Sequence, residues 1–241
     1  IYLIEAGPRL LAGMSEESSA HAEQFLREMG VNILLNKRVV DYRDHKVVLE
    51  DGTEIATRTF IWVSGVTGVT IGNLDASLIG RGGRIKVDSF NRVEGMNNVF
   101  AIGDQCIQVA DEDYPNGHPQ LAQVAIQQGE LLAKNLVRME KGREMKPFHY
   151  RNLGSMATVG RNRAVAEFSK VKMQGWFAWV MWLVVHLRSI LGVRNKVIVL
   201  LNWVWNYFTY DQSMRMIVYA RKAKEIRDRE KVEETTHWGK E

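Results

Sequence analysis

A single cysteine, Cys106, supplies all the thiol chemistry of this 241-residue chain. One thiol excludes an internal disulfide and any CxxC redox pair, and a reducing compartment fits best. Cys106 itself reads as a small buried residue. Long apolar runs are also missing: none reaches the roughly 18 residues of a membrane-spanning helix, and no secretory signal is present. There is no zinc-ligand spacing, so no metal is expected. Nor is there a helix-turn-helix or RNA-recognition signature, so nucleic acid is not an expected partner even at a pI of about 9.1. No repeat or low-complexity tract is evident. A phosphate-binding G-x-G-x-x-G loop is absent too. Gly80, Gly82 and Gly83 precede a strand rather than a helix, which makes them a turn. Finally there is no initiator Met. The chain opens on IYLIEAG, already inside a strand pattern, and reads as a piece of a longer protein.

What the chain does hold is an ordinary globular composition, 46% hydrophobic and 25% charged, with its charge unevenly spread. Between Lys170 and Lys224 there are nine Lys/Arg and one acid, Asp211, and five of the seven tryptophans lie between Trp176 and Trp205. Basic residues beside clustered aromatics point to a surface for a partner or a membrane.

Patterning predicts alternating strands and helices over the first 140 residues, hence an α/β fold. Strands are expected at 1–5, 31–35, 38–42, 46–50, 53–56, 59–64, 84–87 and 99–102, with a hairpin at Asp51-Gly52. Ser15 is a candidate N-cap for a helix through Met29, stopped by Gly30. A second helix is expected from Gln120 to Met139. Beyond Phe148 come β-like stretches at 154–160 and 164–168, two apolar-aromatic helical segments and a charged tail.

Three places could carry chemistry. Glu5 ends a buried-type strand before a turn, where βαβ dinucleotide-binding folds place a carboxylate for ribose hydroxyls; a solvated acid is the plain alternative. In VFAIGDQC, residues 99–106, Gly103 allows close backbone approach and Asp104 can accept bonds from a ribityl or ribose hydroxyl. A turn or cap Asp is the competing reading. Gln123 and Gln127 stand four apart near the positive end of their helix. Neutral donors there suit a flavin ring or a quinone carbonyl, although a solvated helix face explains them as well.

Taken together, an acid-ended strand, WVSGV, VFAIGD and AQVAIQQG in that order resemble the C-terminal half of two-dinucleotide-domain flavoproteins. The closest resemblance is to the type II (alternative, non-proton-pumping) NADH:quinone oxidoreductases of the FAD-dependent pyridine nucleotide-disulfide oxidoreductase superfamily. FAIGD is shared across that superfamily, whereas AQVAIQQG matches the AQxAxQ quinone motif of the type II enzymes. YRNLGSMATVGRNRAV, GWFAWVMWLVVHLRSILGVRN and LLNWVWNYFTYD also look like that family's C-terminal region.

The resemblance implies a truncated Rossmann-like FAD/NAD fold followed by a helical membrane-anchoring region. The parts would be the end of an NADH-binding domain (1–83), the end of an FAD-binding domain (84–147) and a membrane-associating region (148–241). It implies FAD and NADH as cofactors and a quinone, menaquinone or ubiquinone, as oxidant. Glu5 would bind the NADH ribose, and Gly65 would lie near the nicotinamide and flavin. Gly103 and Asp104 would hold the ribityl–pyrophosphate arm, Ala122 and Gln123 would approach the isoalloxazine, and Gln123 and Gln127 would line the quinone pocket. No acid–base residue is assigned, and His118 and His186 read as structural. The fragment alone is expected to be inactive. Alternatives are another flavoprotein of the superfamily, such as a sulfide:quinone oxidoreductase, or a catalytically silent membrane-binding or dimerisation module.

Residues 174–222 carry Trp176, Phe177, Trp179, Val180 and Leu183, then Leu200, Trp203, Val204 and Tyr207, at helical spacing. Arg194, Lys196, Arg215, Arg221 and Lys222 could face anionic lipid, which predicts an interfacial anchor; a buried helix pair is the alternative. The expected location is the cytoplasmic face of the inner membrane, peripherally bound, and a homodimer is compatible with this reading.

Overall fold

Short strands, four α-helices and three single 3₁₀ turns make up the regular structure of the computed structural model, which describes residues 1–69 and 71–209. In chain order these are β1 (Tyr2–Ile4), α1 (Glu16–Glu28), β2 (Asn32–Leu34), β3 (Val39–Arg43), β4 (Lys46–Leu49), β5 (Glu54–Ala56), β6 (Ile85–Val87) and β7 (Cys106–Gln108). Then follow α2 (Ala122–Glu140), β8 (Ser155–Thr158), β9 (Ala164–Phe168), β10 (Val171–Gln174), α3 (Gly175–Ser189) and α4 (Val193–Thr209). The chain divides into two units, Ile1–Trp182 and Leu183–Glu241, with the boundary inside α3.

The α/β expectation is borne out. β1 and β2 pair in parallel around α1, and β6 and β7 form a second parallel pair. Two antiparallel meanders, β3-β4-β5 and β8-β9-β10, complete the first unit. α1 forms where capping chemistry predicts. The Ser15 side chain accepts from Ser18 N, Glu16 and Glu17 occupy the positive first turn, and Gly30 at φ +79° ends the helix. Its N-terminus is also bound from afar. Glu167 of β9 accepts from Ser15 N at 3.0 Å and from the Ser15 hydroxyl. Arg163, just before β9, reaches Glu28 at 2.9 Å, so the second meander lies along α1.

Two expected strands are not strands. Residues 59–64 run as an irregular, largely exposed segment. Their β-branched and aromatic side chains favour extended chain, but they have no ladder partner, and Phe60 stacks on Tyr42 at 4.9 Å instead. Residues 99–102 make one isolated bridge, Arg92 to Phe100, because the turns of 88–96 bond to them: Val93 N donates to Val99 O and Ala101 N to Asn91 O. The strand beside β6 is β7, after the turn at 103–105, where Cys106, Ile107 and Gln108 are all buried. With Ile85, Val87, Val93 and Ala101, Cys106 forms the core there, and burial pushes its thiol pKa up.

α2 begins two residues later than expected. Its inward stripe is Val124, Gln128 and Asn135, all buried, with Leu131 half-buried, while Leu121 and Leu136 are exposed. Val124 packs on Phe148 and Tyr150. Among the described residues no helix is long and apolar enough to cross a membrane. Of the basic residues expected to face lipid, Arg194 and Lys196 lie on α4, whereas Arg215, Arg221, Lys222 and the charged tail lie outside the described residues.

Candidate functional site

The turn that follows the FAI segment is held from behind by α2. Gly103 sits at φ +65°, and a Cβ there would come within 3.2 Å of the Ala125 Cβ, so glycine lets the turn approach the helix closely. Its N–H donates to Gln128 Oε1 at 2.7 Å. Asp104 is exposed at the head of this turn, and its carbonyl accepts from Gln120 Nε2 at 3.2 Å. Gln105 bonds both ways to the backbone of Val69: Val69 N donates to Oε1 at 2.9 Å and Nε2 donates to Val69 O at 2.6 Å. Beneath the turn lies a cavity of about 460 Å³ lined by residues such as Leu74, Ile85, Met96 and Phe100, with no charged group.

Ala122 is exposed at the first turn of α2. The N-cap position is Leu121, and no side chain caps the helix there, so the positive end is left open to an electron-rich ligand. Gln123 and Gln127 do share a face near this end. Both amides, however, are engaged with the chain at 151–154. Gln127 Nε2 donates to Arg151 O at 2.9 Å and Arg151 N donates back to Oε1 at 3.1 Å. Gln123 Nε2 donates to Gly154 O at 2.8 Å and its Oε1 accepts from Leu153 N at 3.1 Å.

Glu5 stands at the end of β1, where its Oε1 accepts from Gly7 N at 2.7 Å. Gly65 is exposed at φ +74° with nothing within 4 Å of a notional Cβ. The structure therefore gathers Gly103, Asp104, Ala122, Gln123 and Gln127 around one end of α2, and among the described residues no hydrogen bond joins Glu5 or Gly65 to that group.

Residue patterning overlooked Gln128, which sets the turn, and Asp111. The signal for Gln128 was its place with Val124, Leu131 and Asn135 on one helical stripe. Asp111, 5% exposed, has no such signal, because its partners His118, 7 residues on, and Tyr150, 39 residues on, meet it only in the fold. His118 is 1% exposed and packed among Tyr114, Phe148 and Tyr150, in keeping with a structural role. Among the described residues no group of His, Cys, Asp or Glu could hold a metal ion.

Residues 1–129 match the family model for pyridine nucleotide-disulphide oxidoreductases. The chain belongs to that family. Residues 152–210 match the NDH2 C-terminal domain. A type II NADH:quinone oxidoreductase of Mycobacterium tuberculosis is 35% identical over 216 residues, covering 84% of this chain and 44% of that protein. The chain thus spans less than half the length of that curated relative. Among solved structures, Plasmodium falciparum NDH2 in complex with NADH superposes with a TM-score of 0.77 at 18% identity, over 87% of this chain and 58% of that one. A sulfide:quinone oxidoreductase from Aquifex aeolicus reaches 0.63 at 16% identity, over 88% and 54%. These two likenesses show the shared fold.

Proposed function

We propose that this chain forms the C-terminal part of an FAD-dependent NADH:quinone oxidoreductase that passes reducing equivalents from NADH to a membrane quinone without pumping protons. The observation that carries this reading is the pairing, in one chain, of an oxidoreductase-family segment with an NDH2 C-terminal segment. The open end of α2 lies at residue 122, within the first of them.

The residues present fit a flavin on two structural grounds: α2 has an uncapped positive end, and the Gly103 turn is pressed against that helix by the Gln128 bond. FAD, when bound, supplies the redox chemistry, accepting a hydride and giving two electrons. The chain's own residues supply binding and electrostatics. The N–H groups at Ala122 and Gln123 would stabilise negative charge developing on a ring placed at the helix end. Gly103 and Asp104 would hold a ribityl–pyrophosphate arm, with the Asp104 carboxylate accepting hydroxyl donors. At the other site, Glu5 keeps one carboxylate oxygen beyond its Gly7 bond, which would accept from ribose hydroxyls, and Gly65, unobstructed, would leave room for a nicotinamide.

The quinone, menaquinone or ubiquinone, would enter beside Gln123 and Gln127. Domain limits of 1–83, 84–147 and 148–241 follow from this assignment. α3 and α4 would rest on the membrane, peripherally and on the cytoplasmic face. In support, α4 buries none of its residues and exposes Trp205 and Phe208. A homodimer would suit such surface attachment. The test is the intact protein that carries this chain: flavin content by absorbance, then NADH oxidation with menaquinone and with ubiquinone. A colourless protein without quinone-dependent NADH oxidation refutes the proposal. Reduction driven by sulfide in place of NADH would favour the sulfide:quinone alternative.

A further inference from the structure

The segment that leaves α2 turns back and runs down the helix from Lys146 to Gly154, and three carboxamide side chains stitch it there. Asn135 Nδ2 donates to Lys146 O at 2.8 Å, and Lys146 N donates back to Asn135 Oδ1 at 2.9 Å. Gln127 makes the same reciprocal pair with Arg151, and Gln123 bridges Leu153 N and Gly154 O. A carboxamide sets an N–H donor beside a carbonyl acceptor in one plane, as a peptide does, so each pair imitates a rung of a β-ladder. The order along the helix, 135, 127, 123, is the reverse of the order along the strap, 146, 151, 153–154, as an antiparallel run requires. The strap's end is constrained further. Gly154 lies at φ +110°, a Cβ there would stand 2.4 Å from Glu167 O, and its N–H donates to Asn152 Oδ1. Leu153, 57% exposed, is left projecting from the stitched segment.

We infer that Gln123 and Gln127 are positioning residues: their amides hold the 151–154 strap on α2, and the strap, through Leu153, forms the wall that the quinone meets. This rests on the quinone reading above. Each Nε2 keeps a second N–H, and a direct-ligand role would act through that spare donor. A glutamate in place of Gln127 separates the two roles. Protonated, the acid donates to Arg151 O and accepts from Arg151 N, restoring both strap bonds without a spare donor. Ionised, it can only accept, and it repels the Arg151 carbonyl.

The experiment reads amide exchange and quinone kinetics in the intact protein carrying this chain, as wild type, Gln127→Ala and Gln127→Glu. In Gln127→Ala the Arg151 amide should exchange about tenfold faster, the loss of one hydrogen bond, and the KM for a short-chain quinone should rise. In Gln127→Glu both should be impaired near pH 8 and restored together as the pH falls to about 4, where an ordinary glutamate takes up its proton, each compared with wild type at the same pH. Unchanged Arg151 protection in Gln127→Ala overturns the clamp. Protection restored at low pH without recovery of KM overturns the positioning role in favour of a direct ligand. Exchange needs neither flavin nor quinone. A protein that shows the clamp but no quinone turnover therefore refutes the functional reading separately from the clamp.

Discussion

The carboxylate of Asp111 and the imidazole of His118 meet at 2.9 Å, both almost wholly buried. The same Oδ2 accepts from Tyr150 N at 3.1 Å and Oδ1 from Asp113 N at 3.2 Å, so one side chain ties the 111–118 loop to the strap between its bonds at Lys146 and Arg151. His149 approaches Oδ1 from the solvent side at 3.9 Å. A buried acid so placed is stable only while its donors remain.

Asp111→Ala is therefore expected to cost about 3 kcal/mol of stability, the scale for removing one partner of a buried pair. Urea unfolding followed by tryptophan fluorescence measures it. A loss under about 1 kcal/mol would show the pair to be dispensable.

The same group gives stability a pH dependence of known sign. Burial alone would raise the Asp111 pKa, but the bonds from His118, Tyr150 N and Asp113 N outweigh it and hold it below the ordinary carboxylate range. The folded value is thus below the unfolded one, near 4. The contribution is complete above about pH 4 and fades as pH falls through the lowered folded value. The stability gap between wild type and Asp111→Asn should narrow between pH 4 and pH 2.

Gln128→Leu removes the acceptor of Gly103 N from a buried site. An unsatisfied buried N–H costs about 1–3 kcal/mol, and the Gly103 turn should loosen. Flavin retained per protein after dialysis should fall, while Gln105→Ala, farther along the turn, should weaken it less. Equal flavin content in Gln128→Leu and wild type would deny the turn its proposed role.

Gly154→Ala should be more harmful than its one added methyl suggests. The residue lies at positive φ, and the new Cβ would overlap Glu167 O and the ring of Phe168. The melting temperature should drop by several degrees, about 2 kcal/mol. Gly142→Ala, also at positive φ but with nothing within 4 Å, should lose about 1 kcal/mol.

α4 exposes Trp205 by 60% and Phe208 by 76%. If it lies in a headgroup layer, Trp205→Ala/Phe208→Ala should weaken co-sedimentation with anionic vesicles about tenfold. Binding by neither protein would remove the anchor from the functional proposal.

Local patterns alone determined a good part of this protein. The cap at Ser15 and stop at Gly30 place α1, the Asp51-Gly52 turn places the β4–β5 hairpin, and 164–168 reads directly as β9, because capping, turn chemistry and period are properties of a few adjacent residues. The order of WVSGV, VFAIGD and AQVAIQQG carries the resemblance to the pyridine nucleotide-disulphide oxidoreductases, the family that residues 1–129 match. Tertiary structure alone decided which extended segments are strands. Residues 59–64 have the right side chains and no partner, whereas Cys106–Gln108, a weak pattern, has β6 beside it. It also decided what the glutamines do. Spacing put Gln123 and Gln127 on one face, but only the returning chain, some 24–31 residues later, supplies the backbone groups their amides engage. A hydrogen bond across that distance depends on how the chain folds back, and no local pattern encodes it.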